Sequence, residues 1–594
     1  MKQKEKLSYS ILPYLQATPD IMKYQLFSKA LLWLLVWVIR QISTLLILTT
    51  GRVAISSGDY DLLYKTWQGP LLIIMALGTL FLYMAFDINT QIIYASKLLE
   101  GKQIKMVEIF KESFFSIRQF FNPGGLGIVL YLTLIAPIVG FSFSLSLTSN
   151  LYIPTFISSV IYSNIYYRLF FLALTIIFLF IGLFNIFTLH GILISKMPCN
   201  KADDNSRAII KKNWKHYLKQ EFIFFRDIAI YYILFVVAVV ILVIIGAVIW
   251  IDNDHMIRFV ELFIALTCAV LVTVTTSLFQ SYYVIMVTKL YYRYMGLLGA
   301  LLPDEKRKVK WFFFRRLAMY IIPLVLLSLL LNTYFDEILV KKTNVGIIAH
   351  RAGGAEAPEN TVKGVEAAIS YGAYGSEIDI QRTADGYYIV NHDANFARLC
   401  SDKRKPEEMT LEEIKELTLT DPNFPDDPEK VATLEEILDA AKDRIVLFIE
   451  LKGNTADEQM VDDVVKIIKE KDMADQCVLI SLKYNLIDYV ESKYPKIDSA
   501  YLTFLSFGKT AQLNCDYLGL EDEATTTSMI KAIHSLDKKI MVWTPNEKKR
   551  QEYFLNTEVD YIITDNVKQA TEAVDEFNNR SDIEVISDII YSLF

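Results

Sequence analysis

The sequence predicts two unlike halves, an all-α transmembrane bundle of about seven helices followed by an α/β barrel of the TIM type. Three observations carry this. Apolar stretches long enough to cross a bilayer, which takes roughly 20 helical residues, recur up to about residue 335 and then stop. Charge reverses at the same place: residues 1–343 hold 33 Lys and Arg against 19 Asp and Glu, and the rest hold 27 against 48, so +14 and −21 make up the total of −7. From Asn344 onward, short β-rich runs alternate with amphipathic helical patterns, as a parallel sheet with crossover helices requires. The expected domains are 1–340 for the membrane part, 344–580 for the barrel with an insertion at about 382–432, and 581–594 for a C-terminal tail.

The apolar stretches fall at about 29–50, 70–90, 123–147, 169–194, 227–251, 258–284 and 317–335. The first is too long, and lacks the small-residue cleavage site, to be a removable signal, so it is expected to remain as an anchor. Lys and Arg set the orientation, because basic flanks stay in the cytoplasm. The loops 91–120, 195–226 and 285–316 are basic, and those near 51–69, 148–167 and 252–257 are not. The pattern predicts a multi-pass protein of the cell membrane with a cytoplasmic N-terminus and an extracellular barrel. In the first basic loop, Met106, Phe110, Phe114, Ile117 and Phe121 recur at helical spacing among Lys105, Lys111 and Arg118. That pattern suits a helix on an anionic membrane surface or one packed beneath the bundle. Arg40, Asp87, His190 and Glu261 are the charged or titratable side chains within or beside the spans, with Asp87 and His190 expected where spans meet loops. Five cysteines without metal-type spacing argue against both a disulfide framework and a zinc site.

Eight strands follow: VGIIAH, GSEIDIQ, RIVLFIEL, CVLISL, DSAYLTF, YLGLE, KIMVWT and YIITD, within about 250 residues, the size of a TIM barrel. In such a barrel the active site forms at the C-terminal strand ends. His350 and Arg351 end the first strand, Glu377 and Asp379 lie in the second, Glu450 and Lys452 end the third, and Trp543 lies near the end of the seventh. Glu377 and Asp379 sit two apart and so share a face. That face must be the inward one, since Ile378 and Ile380 need the apolar helix layer outside. With Glu450 from the neighbouring unit, three carboxylates point into one mouth, where they repel unless a cation sits between them. An all-oxygen set selects Mg²⁺ or Ca²⁺ over zinc. Arg351 and Lys452 beside such an ion suit a phosphate group. His350 and His392, two of three histidines in this half, supply an acid and a base for phosphoester cleavage. Asp393, one residue from His392, points the other way and is read as an orienting or capping residue.

These residues resemble the glycerophosphodiester phosphodiesterase family over about 344–580. The shared motifs are HRAGG at 350–354, PENT at 358–361, EID at 377–379, DG at 385–386, HD at 392–393, IELK at 449–452, WTPN at 543–546 and TD at 564–565. The resemblance implies a TIM barrel in which Glu377, Asp379 and Glu450 hold the metal, His350 and His392 act as general acid and base, and Arg351 and Lys452 bind phosphate. It further implies that Glu359 supports the site and that Trp543 packs against the glycerol or the leaving group. Ala352, where the family usually has Gly, and Pro545 depart from the pattern. The first half looks like the membrane region that precedes this domain in some Gram-positive bacterial members.

The expected activity is hydrolysis of glycerophosphodiesters to sn-glycerol 3-phosphate and an alcohol at the outer membrane face. Substrates in reach there include phospholipid head groups and polyglycerol-phosphate polymers such as lipoteichoic acid; no nucleic-acid partner is expected. Two alternatives remain. One is a lyase of the phosphatidylinositol phospholipase C or sphingomyelinase D kind, which would give a cyclic phosphate. The other is a non-catalytic membrane sensor or transport module whose barrel binds a glycerophosphate.

Overall fold

The computed structural model describes residues 18–56, 64–102, 105–121, 125, 127–128, 161–162, 164–249, 253–297, 299, 312–339 and 342–592. Its first half is helical: α1 (Thr18–Leu48), α2 (Gln68–Leu99), α3 (Met106–Ser116), α4 (Ile165–Asn185), α5 (Thr188–Leu193), α6 (Cys199–Ile249), α7 (Asp254–Tyr294) and α8 (Phe312–Thr333). Among the described residues, four helical segments are long and apolar enough to cross a membrane, at Thr18–Leu48, Gln68–Leu99, Ile165–Leu193 and His255–Tyr294. The expected stretch 227–251 falls largely in the second half of α6, 317–335 largely in α8, and 123–147 lies outside the described residues. Among the described residues, one short strand, β1 (Ala54–Ser56), interrupts the helical half.

Two sequence expectations change here. Asp87 is not at a span end but well inside α2, buried, where it accepts hydrogen bonds from the Tyr24 hydroxyl, Ser28 (2.7 Å), Gln91 (2.8 Å) and Gln280 (3.3 Å). A carboxylate with four donors from three helices is a satisfied structural group. His190 is likewise buried, 3.1 Å from Thr288 Oγ1. Helix α3 packs beneath the bundle through Ile109, Ser113 and Ser116, followed by Ile117 and Phe120, while Phe114 and Phe121 are exposed. Met106, Phe110 and Ile117 of the face that apolar spacing picked out also pack on the bundle, so the packed face overlaps the expected one and is rotated only away from Phe114 and Phe121.

The ends of the bundle differ. At one end Lys97 pairs with Glu112, Ser195 meets Tyr291, and His216 Nδ1 meets Tyr294. These residues belong to the basic loops or adjoin them. At the other end Asn332 reaches the His255 carbonyl and Ile47 packs on Ile55. The barrel lies at this second end. Residues 582–592, expected as a tail, form a helix whose Val585 and Ile586 pack on Leu262, Ala265 and Phe335, with Arg258 3.2 Å from Asp582.

The second half is a closed barrel. Its parallel strands are β2 (Gly346–Ala349), β3 (Gly375–Arg382), β5 (Val446–Leu451), β6 (Cys477–Ser481), β7 (Asp498–Thr503), β9 (Tyr517–Glu521), β10 (Lys539–Trp543) and β11 (Tyr561–Thr564). They pair in the order β2-β11-β10-β9-β7-β6-β5-β3, and β2–β3 pairing closes the ring. All eight expected strands are present. Strand β4 (Tyr388–Val390) adds antiparallel to β3, and residues 389–431 bury a small core of their own around Phe396, Met409 and Ile414.

Alternation along each strand splits the apolar residues into two sets. Outward side chains such as Ile378, Ile380, Leu447 and Ile449 meet the helices. Inward ones, Ile348, Phe448, Ile480, Leu502, Tyr517, Met541 and Tyr561 among them, fill the barrel below the catalytic rim. Phe448 is fully buried there, its ring 6.3 Å from Tyr517 and 6.1 Å from Tyr561. Phe448→Ala leaves a cavity that this closed ring cannot collapse, and should cost about 3–5 kcal/mol, read as a lower unfolding midpoint of the detergent-solubilised protein. The five cysteines are all free thiols.

Candidate active site

Strand pairing assembles the acidic cluster. Glu377 and Asp379 face inward from β3, and the register sets Asp379 directly beside Glu450 on β5. All three are buried, and one carboxylate oxygen from each lies within 4.8 Å of the others. Lys452 Nζ donates to Asp379 Oδ1 (2.8 Å) and Glu450 Oε2 (3.2 Å). Asn360 Nδ2 donates to Asp379 Oδ2 (2.9 Å), and the Arg351 backbone N–H donates to Glu377 Oε2 (2.8 Å). Glu377 Oε1 is buried with no hydrogen-bond partner among the described residues.

Electrostatics follows from this crowding. Burial, then the charges of Asp379 and Glu450, pushes the Glu377 carboxyl far above the usual carboxylate range. Burial raises Glu450 as well, against the pull of Lys452. For Asp379 burial acts the same way, but Lys452, His392 and Arg351 outweigh it and hold the group well below its ordinary value. Protein groups alone thus favour the ionised form of Asp379 and push Glu377 and Glu450 toward protonation. An orphaned buried oxygen within an all-carboxylate set fits a hard divalent cation.

The two histidines come from opposite sides of this cluster. His350 follows β2, and its Nδ1 lies 2.7 Å from Asp565 Oδ1. Asp565 is fixed in turn by Asn546, which donates through Nδ2 to one carboxylate oxygen (2.5 Å) and accepts the Asp565 backbone N–H (2.9 Å). Burial alone would lower the His350 pKa, but Asp565 and then Glu377 raise it above the ordinary histidine value. Asp565 is driven down to about 2, since His350, Asn546 and Arg351 outweigh its burial. The turn after His350 needs Gly354: its φ is +63°, and a Cβ there would lie 2.2 Å from the Asp565 carbonyl oxygen. Ala352 also has a left-handed φ, +74°, a conformation that glycine adopts at less cost.

His392 is brought back to the rim by the β3–β4 hairpin. The turn at Asp385 and Gly386 closes through Thr383, whose hydroxyl donates to Asp385 (2.7 Å) and accepts the Tyr387 N–H (2.9 Å). Gln381 then clamps the returning strand, donating to the carbonyls of Asn391 and Asp393 (both 2.7 Å). His392 belongs to a closed ring of five side chains. Its Nδ1 lies 2.9 Å from Asp393 Oδ1, and its Nε2 lies 3.0 Å from Arg351 Nη2. Arg351 also reaches Glu359 (3.2 Å), while Arg398 holds Glu359 at 2.6 and 2.8 Å and Asp393 at 2.8 Å. A guanidinium only donates, so Nε2 is the acceptor and the ring proton sits on Nδ1.

Every residue singled out from sequence reaches this rim: Trp543 faces inward beside Glu521, its pairing partner on β9. Asp393 does not point away from His392 as expected: its carboxylate meets His392 Nδ1, which suits the orienting role read from sequence. Sequence reasoning gave no role to Asn360, Asn546 and Asp565, although each lay in a quoted motif. It missed Arg398, inside the insertion, and Glu521, a buried inward carboxylate at the end of YLGLE.

Comparison with known proteins fits this geometry. Residues 350–569 match the glycerophosphoryl diester phosphodiesterase family, and residues 14–331 match the membrane domain of glycerophosphoryl diester phosphodiesterase. YhdW of Bacillus subtilis is 28% identical over 229 residues, spanning 37% of this chain and 93% of that protein. A glycerophosphodiester phosphodiesterase of Caldanaerobacter subterraneus is 28% identical over 227 residues, with the same coverage of 37% and 93%. Among solved structures, an Oleispira antarctica phosphodiesterase in complex with sn-glycerol 3-phosphate shares 21% identity at a TM-score of 0.36, covering 39% of this chain and 96% of that one. With one match running through the helical half and the other through the barrel, the chain belongs to the glycerophosphoryl diester phosphodiesterase family, in the form that carries the membrane domain ahead of the enzyme.

Proposed function

We propose that the protein hydrolyses glycerophosphodiesters to sn-glycerol 3-phosphate and an alcohol at the outer face of the cell membrane, with phospholipid head groups or lipoteichoic acid within reach. The observation that carries this reading is the convergence of two histidines, one held by Asp565 and one by Asp393 and Arg351, on a buried carboxylate triad flanked by Arg351 and Lys452. Glu377, Asp379 and Glu450 would hold one Mg²⁺ or Ca²⁺ ion, which when bound supplies positive charge against the phosphate oxygens. Arg351, whose Nε is buried without a partner among the described residues, and the third ammonium proton of Lys452 would bind those oxygens. A phosphate that draws Arg351 toward itself releases the His392 Nε2 lone pair. His392 then takes a proton from the attacking hydroxyl, whether water or the glycerol 2-hydroxyl. His350, kept protonated by Asp565, gives its proton to the departing alkoxide. Glu359 positions Arg351, and Trp543 packs against the glycerol or the leaving group.

The outward orientation is supported by charge, since the barrel sits at the bundle end opposite the basic loops. Purified full-length protein given glycerophosphocholine should release equal amounts of sn-glycerol 3-phosphate and choline; a cyclic phosphate as the final product would overturn hydrolysis in favour of a lyase.

A pH dependence follows from Asp565. The folded pKa of His350 is raised, so the acid form persists below that value and activity falls as pH rises through it. Asp565→Asn removes the largest raising influence while burial remains. The alkaline limb of the kcat/KM profile should therefore move to lower pH, and an unmoved limb would exclude His350 as the acid.

A further inference from the structure

The membrane domain touches the catalytic rim through a two-stranded ribbon. Strand β1 follows α1 after five residues, Thr49 to Val53, and pairs antiparallel with β8 (Ser506–Gly508) in the register Ala54↔Gly508, Ile55↔Phe507 and Ser56↔Ser506. Strand β8 begins just past Thr503, the last residue of β7. Register runs from Thr503 to Leu520 and from Glu521 to Trp543, so β8 stands on the rim that carries Trp543.

The ribbon joins both halves by alternation. Ala54 is buried in the outer core of the barrel, and Ser56, on the same face, accepts a hydrogen bond from the Tyr501 hydroxyl. Ile55 points the other way and is buried against Ile47 of α1 and Leu72 of α2. Lys509 N–H donates to the Val53 carbonyl (2.9 Å). Gly508 permits the approach: its φ is +101°, and a Cβ would lie 2.8 Å from the Val53 oxygen and 3.1 Å from Ala54 Cα.

Phe507 is directly opposite Ile55 and therefore shares the face turned toward the transmembrane helices. It is 53% exposed, and Leu505 beside it 46%. Tyr64 and Trp67 are exposed just before α2, and these are the residue types that concentrate at the head-group level of spanning helices. Thr49 accepts a hydrogen bond from Gln68 at that same level (3.1 Å), where α1 ends. The rim thus presents two uncovered apolar side chains beside the end of the membrane span, in continuity with its apolar packing.

We propose that this ribbon holds the catalytic mouth against the bilayer, with Leu505 and Phe507 entering the interfacial layer, so that the enzyme acts on a glycerophosphodiester carried by a lipid of that leaflet. The proposal rests on the hydrolase reading above and names its substrate class. Water adds at phosphorus, the bond to the lipid's alcohol oxygen breaks, that oxygen takes the proton, and glycerol phosphate leaves into solution while diacylglycerol stays behind.

The test uses full-length protein reconstituted in phosphatidylcholine vesicles, assayed on phosphatidylglycerol in the same vesicles and on soluble glycerophosphocholine. Leu505→Ser with Phe507→Ser, both at exposed positions, should lower turnover of phosphatidylglycerol roughly tenfold, as expected for two lost apolar anchors, and leave glycerophosphocholine turnover within about twofold. Gly508→Val should do the same by opening the ribbon. Equal loss on both substrates, or no loss on either, overturns the proposal. Wild-type protein that releases glycerol phosphate from neither substrate overturns the hydrolase reading instead.

Discussion

His392→Ala is expected to lower kcat on a glycerophosphodiester by about 10²- to 10⁴-fold, the usual contribution of a positioned acid or base. The ring that holds His392 explains why the loss should appear in kcat. Arg351 keeps its contact with Glu359 when the imidazole is removed, and Arg398 keeps both Glu359 and Asp393 in place. Phosphate binding therefore survives and KM should change little. Arg351→Ala gives a contrasting pattern, since it removes a phosphate ligand and also leaves His392 Nε2 without its donor. It should raise KM and lower kcat together. Circular dichroism of each variant should match the wild type, because these side chains lie at the open rim and not in the apolar filling below it. A His392→Ala enzyme with wild-type kcat would remove the histidine from the chemistry and return the base to an unassigned group.

The sequence made the acidic triad legible for a simple physical reason. Strands alternate, so two carboxylates spaced by two beside isoleucines must face the barrel interior, and short range suffices to see it. The apolar spans were legible by the same logic of length. What stayed hidden depends on contacts between distant segments. Arg398 reads as a surface charge in a loop rich in Pro, Asp and Lys, and the fold carries it to Glu359, 39 residues away. Glu521 ends an apolar run like any solvated strand-end residue until the register faces it inward. Strand β1 was invisible because three residues, Ala-Ile-Ser, carry no periodicity of their own and take a partner about 450 residues later. The face of α3 was legible in part: Met106, Phe110 and Ile117 pack as the spacing suggests, while Ile109 and two serines complete the contact and Phe114 and Phe121 stay exposed.

Removing divalent cations is expected to abolish turnover, with one of Mg²⁺ or Ca²⁺ restoring it, and to lower the thermal midpoint of the barrel. Both effects trace to the same carboxylates. Three buried acids share one mouth, and among the described residues only the Lys452 side chain donates to two of them. Without an ion, Glu377 and Glu450 are driven toward their protonated forms, as burial and mutual repulsion dictate. An ion that binds the folded state alone stabilises it by about 2.7 kcal/mol at a hundredfold excess over its Kd. The midpoint should accordingly rise with added cation in a titratable way. Asp379→Asn separates this from nonspecific ion effects: it keeps shape and the Asn360 contact but removes a full charge, so it should lose both the activity and the cation-dependent shift. Full turnover in EDTA, together with a midpoint indifferent to both cations, would mean that Lys452 alone balances the triad, and the catalytic reading would have to rest on the histidines and Arg351 without a metal.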